Sequence, residues 1–179
     1  MPAPPVPSIG AIRSSVADPT GSRPSGRALG LAVSSAALVT PILTGGAPAP
    51  AGHYAQAIVS GSQVFISGQL PIRPDGGLLP DDGFEAQATQ AIMNMLAILD
   101  AAGSTPQQLL KVTAYIVGAA NWSRFNAVYA ALLPDARPAR TVVPVPELHY
   151  GYLVEIDAIA VCHHQLSQAG GEHGDADAS

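Results

Sequence analysis

Leu153-Val154-Glu155-Ile156-Asp157-Ala158-Ile159-Ala160 alternates along its whole length, and that alternation settles the architecture. Successive side chains of a strand point to opposite faces, so Val154, Ile156, Ala158 and Ala160 make one wholly apolar face. Leu153, Glu155, Asp157 and Ile159 make the other, where two carboxylates sit among aliphatic side chains. One face belongs against a hydrophobic layer; the other needs a different cover. Upstream, Leu110, Val112, Ala114 and Ile116 alternate with Lys111, Thr113 and Tyr115, which predicts a strand over Leu109 to Val117 with one buried face. Gln56 to Ser60 and Gln63 to Ser67 are β-rich runs joined by Gly61-Ser62. Gly-Ser there signals a type II′ hairpin, because glycine supplies the positive φ of the first turn position.

Two helices separate these strands. Asp82 and Glu85 have the spacing of a capping box, and Ala88, Ile92, Met95, Leu96 and Leu99 then share one helical stripe that Gly103 terminates. Asn121 is expected to cap a second helix, with Phe125, Val128, Tyr129 and Leu132 inward and Pro134 at its end. The order is strand, strand, helix, strand, helix, strand, strand. Two helices cannot cover both faces of such a sheet, so an α+β fold follows, with both helices on one face. The uncovered face, part apolar and part acidic, predicts oligomerisation around a polar site.

The domain is expected over residues 41–162 of the 179 in the chain. Residues 1–40 are a low-complexity extension rich in Pro, Ser, Gly and Ala, expected to be disordered, and 163–179 form a polar disordered tail. The apolar run from Ala28 to Leu43, preceded by Arg23 and Arg27 and followed by Ala47-Pro48-Ala49, mimics a secretory signal. Its long polar lead and Pro41 argue against export, and a cytoplasmic location is expected. Ser34, Ser35, Thr40 and Pro41 dilute the run too far for a membrane span. A net charge of −5 without any Lys/Arg cluster leaves no footprint for nucleic acid. Cys162 is the one cysteine, so no intramolecular disulfide can form, and the histidines lack metal-ligand spacing.

Arg137-Pro138-Ala139-Arg140-Thr141-Val142-Val143 carries the chemistry. It sets Arg140, which cannot lose its proton, in an apolar strand where an unpaired burial would cost several kcal/mol. The guanidinium therefore meets an anion. Either Arg140 pairs with Glu155 or Asp157 as a structural bridge, or it grips a ligand carboxylate while a strand-borne acid handles water.

Further pieces run in order along the same span: Ala47-Pro-Ala-Pro-Ala-Gly-His-Tyr54, Val64-Phe-Ile-Ser-Gly-Gln-Leu-Pro71, Glu85-Ala-Gln87, Ala101-Ala-Gly103, Phe125-Asn-Ala-Val-Tyr129, Pro138-Ala-Arg-Thr-Val142 and Val154-Glu-Ile-Asp-Ala-Ile-Ala160. Together they resemble the RidA (YjgF) family of enamine/imine deaminases over about Pro41 to Val161. The resemblance implies a chorismate-mutase-like fold, two helices on a mixed, mainly antiparallel sheet, assembled as a homotrimer with sites between subunits. It implies hydrolysis of 2-aminoacrylate- and 2-iminobutanoate-type substrates to 2-oxo acids and ammonia, with no metal or organic cofactor. A non-catalytic relative that only binds a small carboxylate, as a sensor or protecting factor, is the alternative. Ribonuclease activity, attributed to some relatives, finds no basic groove or aromatic platform here.

By the same resemblance, Arg140 holds the substrate carboxylate and Glu155 positions or activates water. Tyr54 and Asn126 are pocket residues, and Ser67 and Gly68 form the edge where main-chain groups approach the ligand. Each has a competitor: Asn126 as a helix-to-loop tie, Tyr54 as an interface aromatic, Asp157 as a structural acid, and Thr113 and Tyr115 as packing. The chain departs from its relatives at His53, where many have proline, and at Val142, where several have cysteine. It departs again at Leu148-His-Tyr-Gly151, where Leu-Pro-Lys-Asp is familiar. These changes bear on substrate size and side-chain preference.

Overall fold

The computed structural model describes residues 39–77 and 82–162. Its strands are β1 (Val39–Ile42), β2 (Ala57–Ser60), β3 (Gln63–Gln69), β4 (Leu109–Val117), β5 (Ala139–Val145) and β6 (Val154–Val161), and its α-helices are α1 (Phe84–Ala101) and α2 (Trp122–Leu132). They form one sheet in the order β1-β2-β3-β6-β4-β5. Neighbours run antiparallel except β4 and β5, which are parallel because α2 carries the chain back between them. The expected α+β architecture, two helices on a mixed and mainly antiparallel sheet, is what the chain adopts. The expectations for 1–38 and 163–179 lie outside the described residues. Among the described residues, no helix is long and apolar enough to cross a membrane.

The alternation in β6 is realised in full: Val154, Ile156, Ala158 and Ala160 are buried in one core with Ile92, Met95, Ile98 and Leu99 of α1. The Gly61-Ser62 turn has Gly61 at φ 60° and no left-handed Ser62, as a type II′ turn requires. At the end of α1, Gly103 sits at φ 70°, and the amides of Gly103 and Ser104 donate to the carbonyls of Asp100 and Leu99. That pair of bonds is the Schellman arrangement that satisfies the last turn's carbonyls.

Four local readings are corrected. Asp82 does not cap α1; the N-cap is Gly83, without a side-chain bond, and Glu85 instead pairs with Arg124. Asn121 does occupy the N-cap of α2, but its amide donates to Val117 O and its Oδ1 accepts from Arg124, leaving no capping bond. In β4 it is Leu109, not Leu110, that enters the core, with Leu110 43% exposed. The cause is a β-bulge: Leu109 pairs with Ala160 while Lys111 pairs with the adjacent Ile159, so one residue of β4 is extra. Finally, Val39–Ile42 adds a sixth strand to the five expected, although Pro41 interrupts its apolar run. β1 is the sheet edge, where a missing N–H leaves no ladder bond broken.

Three buried amides tie the loops to this core. Gln56 Nε2 donates to the carbonyls of Thr44, Ala47 and Pro48, and its Oε1 accepts from Thr44 N at 2.7 Å. Gln87 links Asp82 O to Leu153 N, fixing the entrance to β6 against α1. Asn94, fully buried, donates to Leu70 O at 3.0 Å and Ile72 O at 2.8 Å. Replacing Asn94 by alanine strips two partly buried carbonyls of their donors, each omission costing roughly 1–3 kcal/mol at most. Urea unfolding of Asn94→Ala is therefore expected to show a loss of about 2–4 kcal/mol. A loss below about 1 kcal/mol contradicts this account of the loop.

Candidate active site

Arg140 lies on β5, half-buried, with its Nη2 donating to Asn126 Oδ1 at 2.8 Å. Its guanidinium carbon stands 4.6 Å from the ring centroid of Tyr129 and 5.9 Å from that of Phe125. These ring faces stabilise a cation that has lost part of its water. Among the described residues the one ion pair is Arg124–Glu85, so the bridge from Arg140 to Glu155 or Asp157 does not form within the chain. One of five guanidinium donors is used, and Arg140 lines an open cleft of about 370 Å³ with Asn126, Tyr129, Arg137 and Pro138.

Tyr129 is the residue that sequence reasoning missed. Helical periodicity turns its ring inward, and it is buried, but its hydroxyl has no hydrogen-bond partner and the residue lines this same cleft. Burial raises its pKa, with the charge of Arg140 acting in the opposite direction. No local pattern could have shown this, because periodicity places the ring and says nothing of what meets the hydroxyl.

The second group of site residues gathers on β3 and β6. Ile66 pairs with Ala158 and Gln69 with Ile156, so β3 bulges at Ser67-Gly68 and runs two residues past the predicted end. Ser67 is held at the bulge: its N–H donates to Gln56 O at 3.0 Å and its hydroxyl to Ala55 O at 2.7 Å. Gly68 is not in the left-handed region, so its value is space. A Cβ there would collide with Glu155 Oε1 and stand 3.1 Å from its Cδ. The Glu155 carboxylate thus rests against bare backbone. Tyr54 is exposed, its hydroxyl accepts from Ala51 N at 3.3 Å, and it lines a small cleft with Gln56, Gly68 and Leu70.

Sheet register keeps the two groups apart. Val112 pairs with Arg140 on one side and Ala158 on the other, placing Arg140 on the helix-covered face. Tyr115 pairs with Glu155, placing Glu155 on the open face with Asp157 and Thr113. Within one chain, Arg140 with Asn126 and Glu155 with Gly68 therefore point to opposite sides. The open face is also apolar in part: Ile58 pairs with Phe65, which pairs with Ile159, and Phe65 is 42% exposed. On the way into β6, the turn His149-Tyr150-Gly151 holds Tyr150 at φ 58°, with its ring centroid 3.9 Å from that of His149.

The sequence pattern of the endoribonuclease L-PSP family matches residues 44–162. A RutC family protein of Pyrococcus horikoshii is 40% identical over 119 residues, 66% of this chain and 94% of that protein. The 2-iminobutanoate/2-iminopropanoate deaminase of Escherichia coli is 37% identical over 123 residues, 67% of this chain and 95% of its own. The crystal structure of Escherichia coli TdcF with bound serine superposes with a TM-score of 0.64 at 34% identity, covering 68% of this chain and 98% of that one.

The electrostatics of Glu155 make a stability prediction. Burial raises its pKa, the charge of Asp157 raises it further, and His149 partly offsets both. A carboxyl with a raised pKa holds its proton more tightly folded than unfolded. Its stabilising contribution is full below the unfolded pKa and disappears as pH rises through the folded one. Glu155→Gln removes that penalty, so calorimetry at about pH 7.5 is expected to give a higher melting temperature than wild type. The difference should close below about pH 4, near the ordinary glutamate value. A variant no more stable than wild type at neutral pH contradicts the burial argument.

Proposed function

The chain belongs to the endoribonuclease L-PSP (YjgF/RidA) family, and from that premise we propose that it hydrolyses 2-imino and 2-enamino acids to 2-oxo acids and ammonia. The observation that carries this reading is Arg140: a half-buried planar fork held by Asn126, stacked on Tyr129, and left with donors facing a cleft. A guanidinium so placed suits a carboxylate, which it can meet with two parallel charge-assisted bonds. The serine bound by TdcF carries the same carboxylate. The net charge of −5 weighs against RNA, whatever the family's name says.

Because Arg140 and Glu155 sit on opposite faces of their own sheet, the complete site in this reading joins two copies of the chain. One copy gives Arg140 and Asn126; its neighbour in a homotrimer gives Glu155, Gly68, Ser67 and Tyr54. The partly apolar open face is the surface that such packing would cover. A cytoplasmic location goes with this reading, since imino acids are released there by amino-acid dehydratases.

The chemistry needs few parts. An enamine first takes a proton from solvent at its terminal carbon to give the iminium, and an imine gives the same iminium by taking one at nitrogen. Arg140 then fixes the carboxylate, placing the imine carbon beside water held by Glu155. As the water oxygen bonds to that carbon, the C=N π electrons pass to the nitrogen and Glu155 accepts a water proton, giving a tetrahedral carbinolamine. Glu155 returns its proton to the nitrogen, the C–N bond breaks, and the hydroxyl becomes the new carbonyl, its proton passing back to Glu155 as ammonia leaves. A carboxyl whose pKa is raised by burial is a better proton donor for the second step than an ordinary glutamate at neutral pH. Tyr54 and Asn126 are assigned to orienting the nitrogen or the water through their hydroxyl and amide.

The test generates 2-iminobutanoate in situ with threonine dehydratase and follows its disappearance. Arg140→Ala is expected to lower kcat/KM by at least about 100-fold, since two charged hydrogen bonds are each worth about 1.5–3 kcal/mol. Arg140→Lys should recover little of this, because an ammonium cannot reproduce the fork. Equal rates for wild type and Arg140→Ala end the proposal, as does wild type that binds 2-oxobutanoate without turnover.

Gly68→Ala separates Glu155 placement from folding. The added methyl meets the far end of a flexible side chain, so stability should change by less than about 1 kcal/mol. Displacing the carboxylate should cost roughly tenfold or more in kcat. Undiminished activity in this variant would remove Glu155 from the mechanism.

A further inference from the structure

The cleft between α2 and β5 holds more cationic and hydrogen-bonding capacity than one carboxylate can use. Arg137 lines it together with Arg140, and Arg137 makes no hydrogen bond or ion pair with any described residue. Asp135, the acid closest to Arg137 in sequence, pairs with neither arginine. Two guanidinium groups bordering one cleft repel each other, and a bound anion relieves that repulsion. Tyr129 adds the decisive feature. It is 6% exposed, its hydroxyl is buried without a partner, and it lines this cleft beside the two arginines. A buried phenol with nothing to bond is costly unless a ligand supplies the partner.

One carboxylate has two oxygens, and the Arg140 fork can satisfy both. That leaves Arg137 and the Tyr129 hydroxyl, a cation and a neutral donor, which together suit a second acidic group. The volume of about 370 Å³ leaves room for a chain of four or five carbons beyond the first carboxylate. Pro138, between the two arginines, fixes its own φ and holds the backbone of Arg137 extended at the cleft rim.

Building on the deaminase reading, we propose that this cleft is a dicarboxylate site: Arg140 holds the carboxylate next to the imine carbon, and Arg137 with the Tyr129 hydroxyl holds a distal one. The preferred substrates are then 2-imino dicarboxylates, the class formed when acidic amino acids are oxidised, rather than imino acids with short apolar side chains. Arg137 is a specificity residue in this scheme, and Tyr129 is a second anchor.

Calorimetric titration of the full chain with 2-oxoglutarate and 2-oxobutanoate tests the site without relying on turnover. Wild type is expected to bind the dicarboxylate at least ten times more tightly. Arg137→Gln and Tyr129→Phe should each reduce that ratio at least fivefold, and Arg137→Lys should restore part of it by returning the charge. Equal binding of the two acids by wild type, or a ratio that neither substitution moves, overturns the proposal. Turnover is then compared on imino acids generated from glutamate by an amino-acid oxidase and from threonine by dehydratase. A dicarboxylate preference in binding with no turnover of either imine sinks the deaminase reading and leaves the dicarboxylate site standing. Turnover without any preference in rate or binding sinks the dicarboxylate site alone.

Discussion

Val112 stands between Arg140 and Ala158 in the sheet, and Tyr115 stands beside Glu155; this register is the constraint on which the site depends. Side chains on a strand alternate strictly, so no rotamer change could bring the Arg140 fork round to the Glu155 face. The helix-covered side supplies aromatic rings and an amide that steady a cation. The open side supplies a bulge where bare backbone meets a carboxylate. In the proposed reading each side supplies one half of a shared site. In that assembly a second copy completes it, and the same contact covers Phe65 and Ile159.

Local pinning explains how these halves keep their shape. Gln56 holds the loop that leads to Tyr54, and the carbonyl of Gln56 also receives the N–H of Ser67 at the bulge. Asn94 fixes Leu70 and Ile72, immediately after that bulge, to α1. Gln87 fixes Leu153, two residues before Glu155. Buried amides are therefore spent on the backbone around the Glu155 half-site, where loops would otherwise carry unsatisfied carbonyls and amides. On the Arg140 side the corresponding support is an exposed amide and two rings, and the cleft there stays open.

Much of the fold was legible because its signals are local. Alternation in Leu153 to Ala160, the Gly61-Ser62 turn and the helical stop at Gly103 each depend on a few neighbouring residues. What could not be read depends on partners remote in sequence. Leu110 looks as apolar as Leu109, and only pairing with Ala160 and Ile159 decides which one the bulge turns inward. Pro41 breaks an interior strand but not an edge one, and edge position is a property of the sheet order. Asp82 and Glu85 fit a capping template, yet Arg124, 39 residues beyond Glu85, claims the carboxylate. Within the site, Arg140 was singled out by its charge in an apolar strand, and Asn126 and Glu155 by resemblance. The separation of Arg140 from Glu155 needed the register, and the unpartnered hydroxyl of Tyr129 needed its surroundings.

Complementation between two disabled variants tests the shared site most directly. Arg140→Ala and Glu155→Gln are each purified, confirmed inactive, mixed in equal amounts, and unfolded and refolded together so that subunits exchange. If each site takes Arg140 from one copy and Glu155 from its neighbour, half of each residue is intact at random, and roughly a quarter of wild-type activity should return. A refolded mixture that assembles but remains as inactive as its parents would show that one chain must carry both residues, contrary to this account.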